Sequence, residues 1–143
     1  MAFRLLPASG AFWRPSNQTK VENTDLAKQL EASRLGARLW RLAPGQTVTR
    51  HRHFEQEELY LLLEGAGRMR VDGELLTLGR LDAVLVEPES IRQVFNDTDT
   101  EALWLVVGAP PELANTLEMS EQQLEHMYPD GPRALPPELE SQS

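Results

Sequence analysis

The 143-residue chain lacks cysteine, long apolar runs and any excess of positive charge, and each absence excludes a class of protein or site. Without cysteine there are no disulfides, no thiolate metal ligands and no thiol nucleophile. No segment approaches the roughly 20 apolar residues that a membrane-spanning helix needs. The net charge of −8 disfavours nucleic acid and anionic membranes as partners, because both attract a concentrated basic surface.

The first residues also lack the features of a secretion signal. Residues 1–13 are mildly apolar but include Arg4 and Pro7, and no unbroken apolar run precedes a small-residue cleavage site. We therefore expect a cytoplasmic protein. A length of 143 residues fits one domain, which buries roughly 68% of its unfolded surface and needs no disulfides for a stable core.

Short β-strands are predicted through the middle of the chain. From residue 36 onward, apolar or alternating segments are separated by turn residues, and Asp72-Gly73 predicts a tight hairpin. The predicted strands cover residues 37–42, 47–53, 58–63, 67–71, 74–78, 83–86, 91–95 and 102–107. Seven or eight short strands at this spacing indicate an all-β sandwich or closed barrel. The unbroken apolar run 83–86 is expected to be a buried strand.

The chain divides into a β domain and two extensions. Residues 1–35 form the N-terminal extension, residues 36–110 the β domain and residues 111–143 the C-terminal part. His126, in the C-terminal part, is expected to lie on the surface. Residues 136–143 have the polar, proline-containing composition of a disordered tail.

Two short helices are predicted in the extensions. Thr24 or Asp25 can cap a helix within residues 19–32, although a loop fits that polar segment equally well. Ser120 is expected to cap a helix over residues 120–127.

Two of the three histidines are separated by a single residue. Side chains at positions i and i+2 of a strand share a face, so His51 and His53 project together if residues 47–53 form a strand. Arg50 and Arg52 then point to solvent.

A carboxylate follows this pair at the start of the next predicted strand. Glu58 and Tyr60 share one face of that strand, and a one-residue slip in register would present Glu57 instead. Two imidazoles and one carboxylate that converge from adjacent strands form a facial triad for a divalent metal. The alternative is that the histidines are exposed and that the acidic residues form a solvated turn.

The spacing of these residues resembles the first signature motif of the cupin family. The matching positions are Gly45, His51, His53, Glu58 and Gly65, at the intervals of that motif. The resemblance covers residues 36–107. It implies a double-stranded β-helix, or jelly-roll barrel, in which His51, His53 and Glu58 bind Fe, Mn, Ni or Zn. It also implies a homodimer, with residues 3–13 added as a strand to the partner's sheet.

The second cupin motif is altered. The apolar run 83–86 and Asn96 match it. At four other positions the motif residue is replaced: its two glycines by Leu81 and Glu89, its proline by Glu87 and its histidine by Arg92. A guanidinium has no lone pair for a metal, so Arg92 cannot be the fourth ligand. Arg92 either holds an anionic substrate beside a three-ligand metal or pairs with Glu58 in a metal-free site. In the second case Gln56, Gln93 or Tyr60 can supply further hydrogen bonds.

The leading functional hypothesis is a metal-dependent enzyme of the oxygenase, decarboxylase or isomerase class that acts on a small polar or anionic metabolite. Arg92 and Tyr60 are its candidate catalytic residues. One alternative is a metal-free sensor or carrier whose pocket is lined by Tyr60, Trp104 and Arg92. Another is a metal-free isomerase or epimerase with His51 or His53 as general base.

Overall fold

The computed structural model describes residues 2–140, which form mostly β-structure. The nine strands within this range are β1 (Arg14–Pro15), β2 (Glu22–Asp25), β3 (Gly36–Leu42), β4 (Glu57–Glu64), β5 (Gly67–Val71), β6 (Glu74–Leu78), β7 (Ala83–Val86), β8 (Arg92–Phe95) and β9 (Ala102–Ala109).

The helices of the described residues are short and lie outside the sheets. They are α1 (Leu26–Gln29), α2 (Glu121–Met127) and α3 (Pro137–Glu140), with single 3-10 turns at Ala8–Gly10 and Thr116–Glu118. None of the helices between residues 2 and 140 is long and apolar enough to cross a membrane.

The strands form two antiparallel sheets that pack against each other. The larger sheet has the order β1-β2-β3-β9-β4-β7, and the smaller has the order β6-β5-β8. Their buried side chains meet in one core, which includes Leu62 and Trp104 from the larger sheet and Met69 and Val94 from the smaller. This jelly-roll architecture confirms the predicted all-β fold. Among the described residues, the strand ladders do not close into a continuous barrel. The jelly roll is therefore a sandwich of two separate sheets.

Strand β4 has the alternating pattern that places Glu58 in the interior. Glu58 and Tyr60 are buried, whereas Glu57 and Leu59 face outward and are exposed. β4 lies between β9 and β7, and hydrogen bonding on both sides fixes its register. The alternative in which Glu57 faces the interior is therefore wrong.

The histidine segment is extended but does not form the regular strand predicted for residues 47–53. Its pairing with β8 consists of isolated bridges, one of which joins His51 to Arg92 through two backbone hydrogen bonds of 2.9 and 2.8 Å. The chain then leaves β8, because the His53 N–H donates to the carbonyl of Pro88 at 2.8 Å. The expected i, i+2 geometry is nevertheless present, and both imidazoles face the interior.

Strand β7 is less buried than its unbroken apolar run predicts. Only Val86 of its four residues is buried, and Leu85 is 58% exposed. The reason is its position at the edge of the larger sheet, where its outer face has no covering layer within the described chain.

The local turn and capping signals are confirmed. Asp72 and Gly73 take the positive φ angles, 49° and 82°, that a two-residue hairpin requires between β5 and β6. Asp25 caps α1, although the segment before it forms the unpredicted strand β2. Ser120 and Gln123 form a capping box at the start of α2.

The C-terminal residues are more ordered than their composition predicts. Residues 137–140 form α3, so the prediction of a disordered tail is wrong there; residues 141–143 lie outside the described part. Leu139 is 3% exposed. The Glu138 carboxylate accepts two hydrogen bonds from Arg70 on β5, at 2.9 Å from Nε and 2.6 Å from Nη2. One buried leucine and one bidentate ion pair therefore attach a polar segment to the smaller sheet.

We expect Leu139→Ala to lower the free energy of unfolding by about 2 kcal/mol, since it removes a buried side chain. Urea unfolding followed by tryptophan fluorescence measures the change. The control is Leu117→Ala, where the leucine is exposed and little change is expected. Equal stability of the Leu139 variant and the parent would show that α3 does not dock in solution.

Candidate metal centre

Four polar side chains from three segments of the chain meet between the two sheets. His51 and His53 come from the extended segment, Glu58 from the start of β4 and Arg92 from the start of β8. Their side chains are 14%, 9%, 11% and 0% exposed, respectively. The fold thus brings together the three predicted metal ligands and Arg92.

The two histidines and Glu58 form a compact group. Glu58 Oε1 lies 3.1 Å from His53 Nε2 and 3.6 Å from His51 Nε2. The candidate ligand atoms of the three residues all lie within 4.8 Å of one another. The two imidazole rings are 5.0 Å apart and nearly perpendicular, so their Nε2 atoms approach the carboxylate from different directions.

Arg92 is paired with the carboxylate of this group. Its Nη1 donates to Glu58 Oε1 at 2.9 Å, and its Nη2 donates to the carbonyls of Glu87 and Pro88. Its Nε–H, which is fully buried, has no hydrogen-bond partner among residues 2–140. The geometry in which Arg92 pairs with Glu58 is therefore present, and the Nε–H of the guanidinium is left without an acceptor among these residues.

Tyr60 is a second hydrogen-bond donor to Glu58. Its phenol donates to Glu58 Oε1 at 2.8 Å. Tyr60 is therefore the one of the three predicted donors, Gln56, Gln93 and Tyr60, that bonds the carboxylate directly. Gln56 and Gln93 instead bond backbone or hydroxyl oxygens elsewhere, the former at Pro110 and the latter at Thr47 and two carbonyls.

The buried position shifts the titration of these groups in the metal-free protein. Burial opposes the charge of Glu58, but the neighbouring imidazoles of His51 and His53 outweigh this effect and hold the pKa of Glu58 well below its usual range. Burial lowers the pKa of His51 despite the opposing effect of Glu58. Burial and the negative charge of Glu58 raise the pKa of Tyr60 well above its usual value. At neutral pH the site therefore contains a carboxylate, a neutral His51 and a protonated phenol.

A hydrogen bond at Nδ1 of His51 determines which ring nitrogen carries the proton. The Thr49 carbonyl oxygen lies 3.0 Å from His51 Nδ1, and a carbonyl can only accept, so Nδ1 carries the proton in this bond. The lone pair of Nε2 then faces Glu58. Two converging imidazoles, one oriented in this way, and an ionised carboxylate match the donor set of a three-ligand divalent metal site. The residues present fit such an ion.

Glu112 is a polar neighbour that the motif comparison did not identify. It follows β9, and its carboxylate accepts hydrogen bonds from the backbone N–H groups of residues 54, 55 and 56. Its Oε1 also lies 3.2 Å from His53 Nδ1. No local sequence pattern marks Glu112, because 59 positions separate it from His53.

The expectation that Arg50 and Arg52 point to solvent is wrong, and so is the surface position of His126. Arg50 bonds Gln93, Asp130 and the Leu135 carbonyl. Arg52 Nε donates to the carbonyl of His126 at 2.6 Å. His126 Nε2 lies 3.1 Å from the carbonyl of His53, and its ring stacks on Phe54. These side chains are half-buried because the C-terminal segment packs on the outer side of the histidine segment.

Comparison with known sequences agrees with this architecture. The family model described as the cupin domain matches residues 38–108. A β-D-galactosidase of Mycobacterium tuberculosis is 39% identical over 56 residues, which cover 39% of this chain and 48% of that protein. The matching chain segments span about half the length of the curated relatives.

Solved structures share the arrangement of the two sheets. A sugar phosphate isomerase from Silicibacter pomeroyi superposes with a TM-score of 0.68 at 26% identity, over 76% of each chain. A protein described as a predicted oxalate decarboxylase from Thermotoga maritima gives 0.66 at 21% identity, over 76% of this chain and 100% of its own. The second likeness concerns the fold alone. Since the family match covers β3 to β9 and the first motif lies at the metal centre, the chain belongs to the cupin superfamily.

Proposed function

We propose that this cupin is a metal-dependent enzyme that acts on a small anionic metabolite, with His51, His53 and Glu58 as the metal ligands. The observation that supports this most directly is the convergence of two imidazole Nε2 atoms on one buried, ionised carboxylate. A bound divalent ion supplies Lewis acidity, which polarises a carbonyl or carboxylate oxygen of a substrate.

The charge balance of the site supports an anionic ligand. Glu58 and Arg92 cancel each other, so the net charge of the group becomes positive when a dication binds to neutral histidines. An anionic substrate restores neutrality in this buried environment. Arg92 then contributes its unpartnered Nε–H as a donor to that anion, and thereby orients it.

Tyr60 is positioned to handle a proton near the carboxylate. Its phenol remains protonated at neutral pH, because burial and Glu58 both disfavour the phenolate. It therefore acts as a hydrogen-bond donor to Glu58 or to a substrate oxygen beside it. Isomerisation is the reaction class favoured by the 26%-identical sugar phosphate isomerase, whose substrate is also a small anion. Decarboxylation and oxygenation are the other classes that this site can serve.

We expect about one Zn²⁺ or Mn²⁺ to bind per chain, and the double variant His51→Ala, His53→Ala to bind none, since two of three ligands are lost. Elemental analysis and calorimetric titration of the untagged protein measure both. The control is His126→Ala, which removes the third histidine but no ligand and should leave the stoichiometry unchanged. Absence of binding to the parent would refute the proposed metal centre.

The second candidate is a metal-free binding module or isomerase. The observation that favours it is the 2.9 Å contact between Arg92 and Glu58, which neutralises the buried carboxylate without any metal. In such an enzyme His51 or His53 would act as the general base.

Arg92→Leu distinguishes the two candidates. In the presence of a chelator we expect it to lower the free energy of unfolding by about 3 kcal/mol, because Glu58 loses its cationic partner. If the site binds metal, added Zn²⁺ should stabilise this variant more than the parent, since the repelling guanidinium is gone. Thermal unfolding with and without Zn²⁺ measures the effect, with the exposed Arg80→Leu as control. If Zn²⁺ stabilises neither protein, the metal-free candidate is favoured.

We further propose a homodimer formed through the outer face of the larger sheet. The outward-facing apolar side chains of this sheet, all half-buried or exposed, are Leu39, Leu59, Leu61, Leu85, Leu103 and Leu105. In the N-terminal extension Phe3, Leu5 and Phe12 are also exposed. A contiguous apolar surface of this kind is typical of an interface.

We expect the protein to have twice its chain mass of 16.1 kDa in solution, and the double variant Leu59→Glu, Leu85→Glu to be monomeric. Both leucines are exposed in the single chain, so the new charges should disrupt association rather than folding. Light scattering after size-exclusion chromatography measures the mass, and Leu117→Glu, on the 3-10 turn, is the control. A monomeric parent at micromolar concentration would rule the dimer out.

A further inference from the structure

Glu112 joins the C-terminal part of the chain to the metal centre. It lies three residues after β9 and outside the residues matched by the cupin family. Its Oε1 accepts from the Phe54 N–H at 3.1 Å and contacts His53 Nδ1 at 3.2 Å. Its Oε2 accepts from the N–H groups of Glu55 and Gln56 at 2.5 and 2.6 Å. One carboxylate thus makes contacts with four consecutive residues.

We propose that Glu112 is a positioning residue, which holds His53 with its proton on Nδ1 and its Nε2 lone pair directed at the metal centre. The inference rests on the proposed metal-dependent function. His53 lies between two carboxylates, with Nδ1 3.2 Å from Glu112 Oε1 and Nε2 3.1 Å from Glu58 Oε1, and each contact needs a proton on the ring because a carboxylate can only accept. Glu58 Oε1 already accepts hydrogen bonds from Tyr60 and Arg92, whereas Glu112 Oε1 accepts one other, from the Phe54 N–H, so we assign the proton to Nδ1. Nε2, on the opposite side of the ring and 3.1 Å from Glu58, is then the atom available to a metal.

Three backbone N–H groups hold the Glu112 carboxylate in place. Phe54 donates to Oε1, and Glu55 and Gln56 donate to Oε2. The side chain is 13% exposed, so these hydrogen bonds are largely shielded from solvent. Both oxygens therefore act as acceptors.

The three backbone bonds give Glu112 a second effect on the site. Residues 54–56 connect His53 to the start of β4, which carries Glu58. By binding each of these N–H groups, the carboxylate fixes the turn that sets the relative position of the two ligands. The corresponding constraint on His51 comes from the Thr49 carbonyl, a backbone group that no side-chain change removes.

Glu112→Gln tests the role of the carboxylate with little change in shape. If the amide oxygen takes the place of Oε2 and accepts from Glu55 and Gln56, the amide NH₂ faces His53 Nδ1 and the N–H of Phe54. The ring must then accept at Nδ1 and carry its proton on Nε2, where it blocks metal binding. The opposite amide orientation places the NH₂ against two backbone N–H groups, so it is the less favourable of the two.

We expect Glu112→Gln to weaken Zn²⁺ binding by roughly 10- to 100-fold, as is usual when the partner of a metal-bound histidine is lost. Competition with a chromophoric chelator measures the affinity. ¹⁵N NMR of the metal-free protein in alkaline buffer, where imidazoles are neutral, should show His53 protonated on Nδ1 in the parent and on Nε2 in the variant. The matched control is Glu118→Gln, the same change at an exposed position of the same segment, which should alter neither result.

The outcomes separate this inference from the proposed function. A parent that binds no Zn²⁺ but shows the Nδ1-protonated form of His53 refutes the metal centre and leaves the positioning contact intact. A parent that binds Zn²⁺ while Glu112→Gln binds it equally well, or a parent with His53 protonated on Nε2, overturns the role of Glu112. The parent's NMR spectrum decides the matter even if the variant folds poorly.

Discussion

The carboxylate of Glu58 places a negative charge between two β-sheets, and the surrounding polar groups are arranged around it. Burial alone would make Glu58 neutral, because an unpaired charge in a low-dielectric interior is strongly disfavoured. Arg92 and Tyr60 donate to the same oxygen at 2.9 and 2.8 Å, and His53 approaches it at 3.1 Å. These groups come from both sheets, so the pair of Glu58 and Arg92 links the two sheets at this end of the molecule.

Arg92 has a double role in this arrangement. It takes the position where the second cupin motif has a histidine, and it neutralises Glu58 in the absence of a metal. The same charge weakens the attraction of the site for a dication and strengthens it for an anion. A site of this kind is suited to a metal and an anionic substrate that bind together, since each reduces the electrostatic penalty of the other.

The C-terminal part of the chain packs against the segment that carries His51 and His53. Arg50 and Arg52, on the outer side of that segment, donate hydrogen bonds to the C-terminal part of the chain. Glu112, in the C-terminal part, accepts hydrogen bonds from the turn that follows His53. These contacts explain why residues beyond β9 are ordered despite their polar composition. They hold in place a segment whose pairing with β8 is limited to isolated bridges.

The sequence by itself determined the positions of most strands, the hairpin at Asp72-Gly73, the cap at Ser120, and the convergence of His51, His53 and Glu58. All of these depend on residues close together in the chain, where alternation, turn preference and motif spacing are physically informative. Only the tertiary structure decided the exposure of β7, the docking of α3, the partners of Arg50 and Arg52, and the contact of Glu112 with His53. The exposure of β7 follows from its place at the edge of the sheet. The other three depend on segments that meet across 43 to 85 residues of chain, and side-chain hydrogen bonds over such separations leave no local pattern in the sequence.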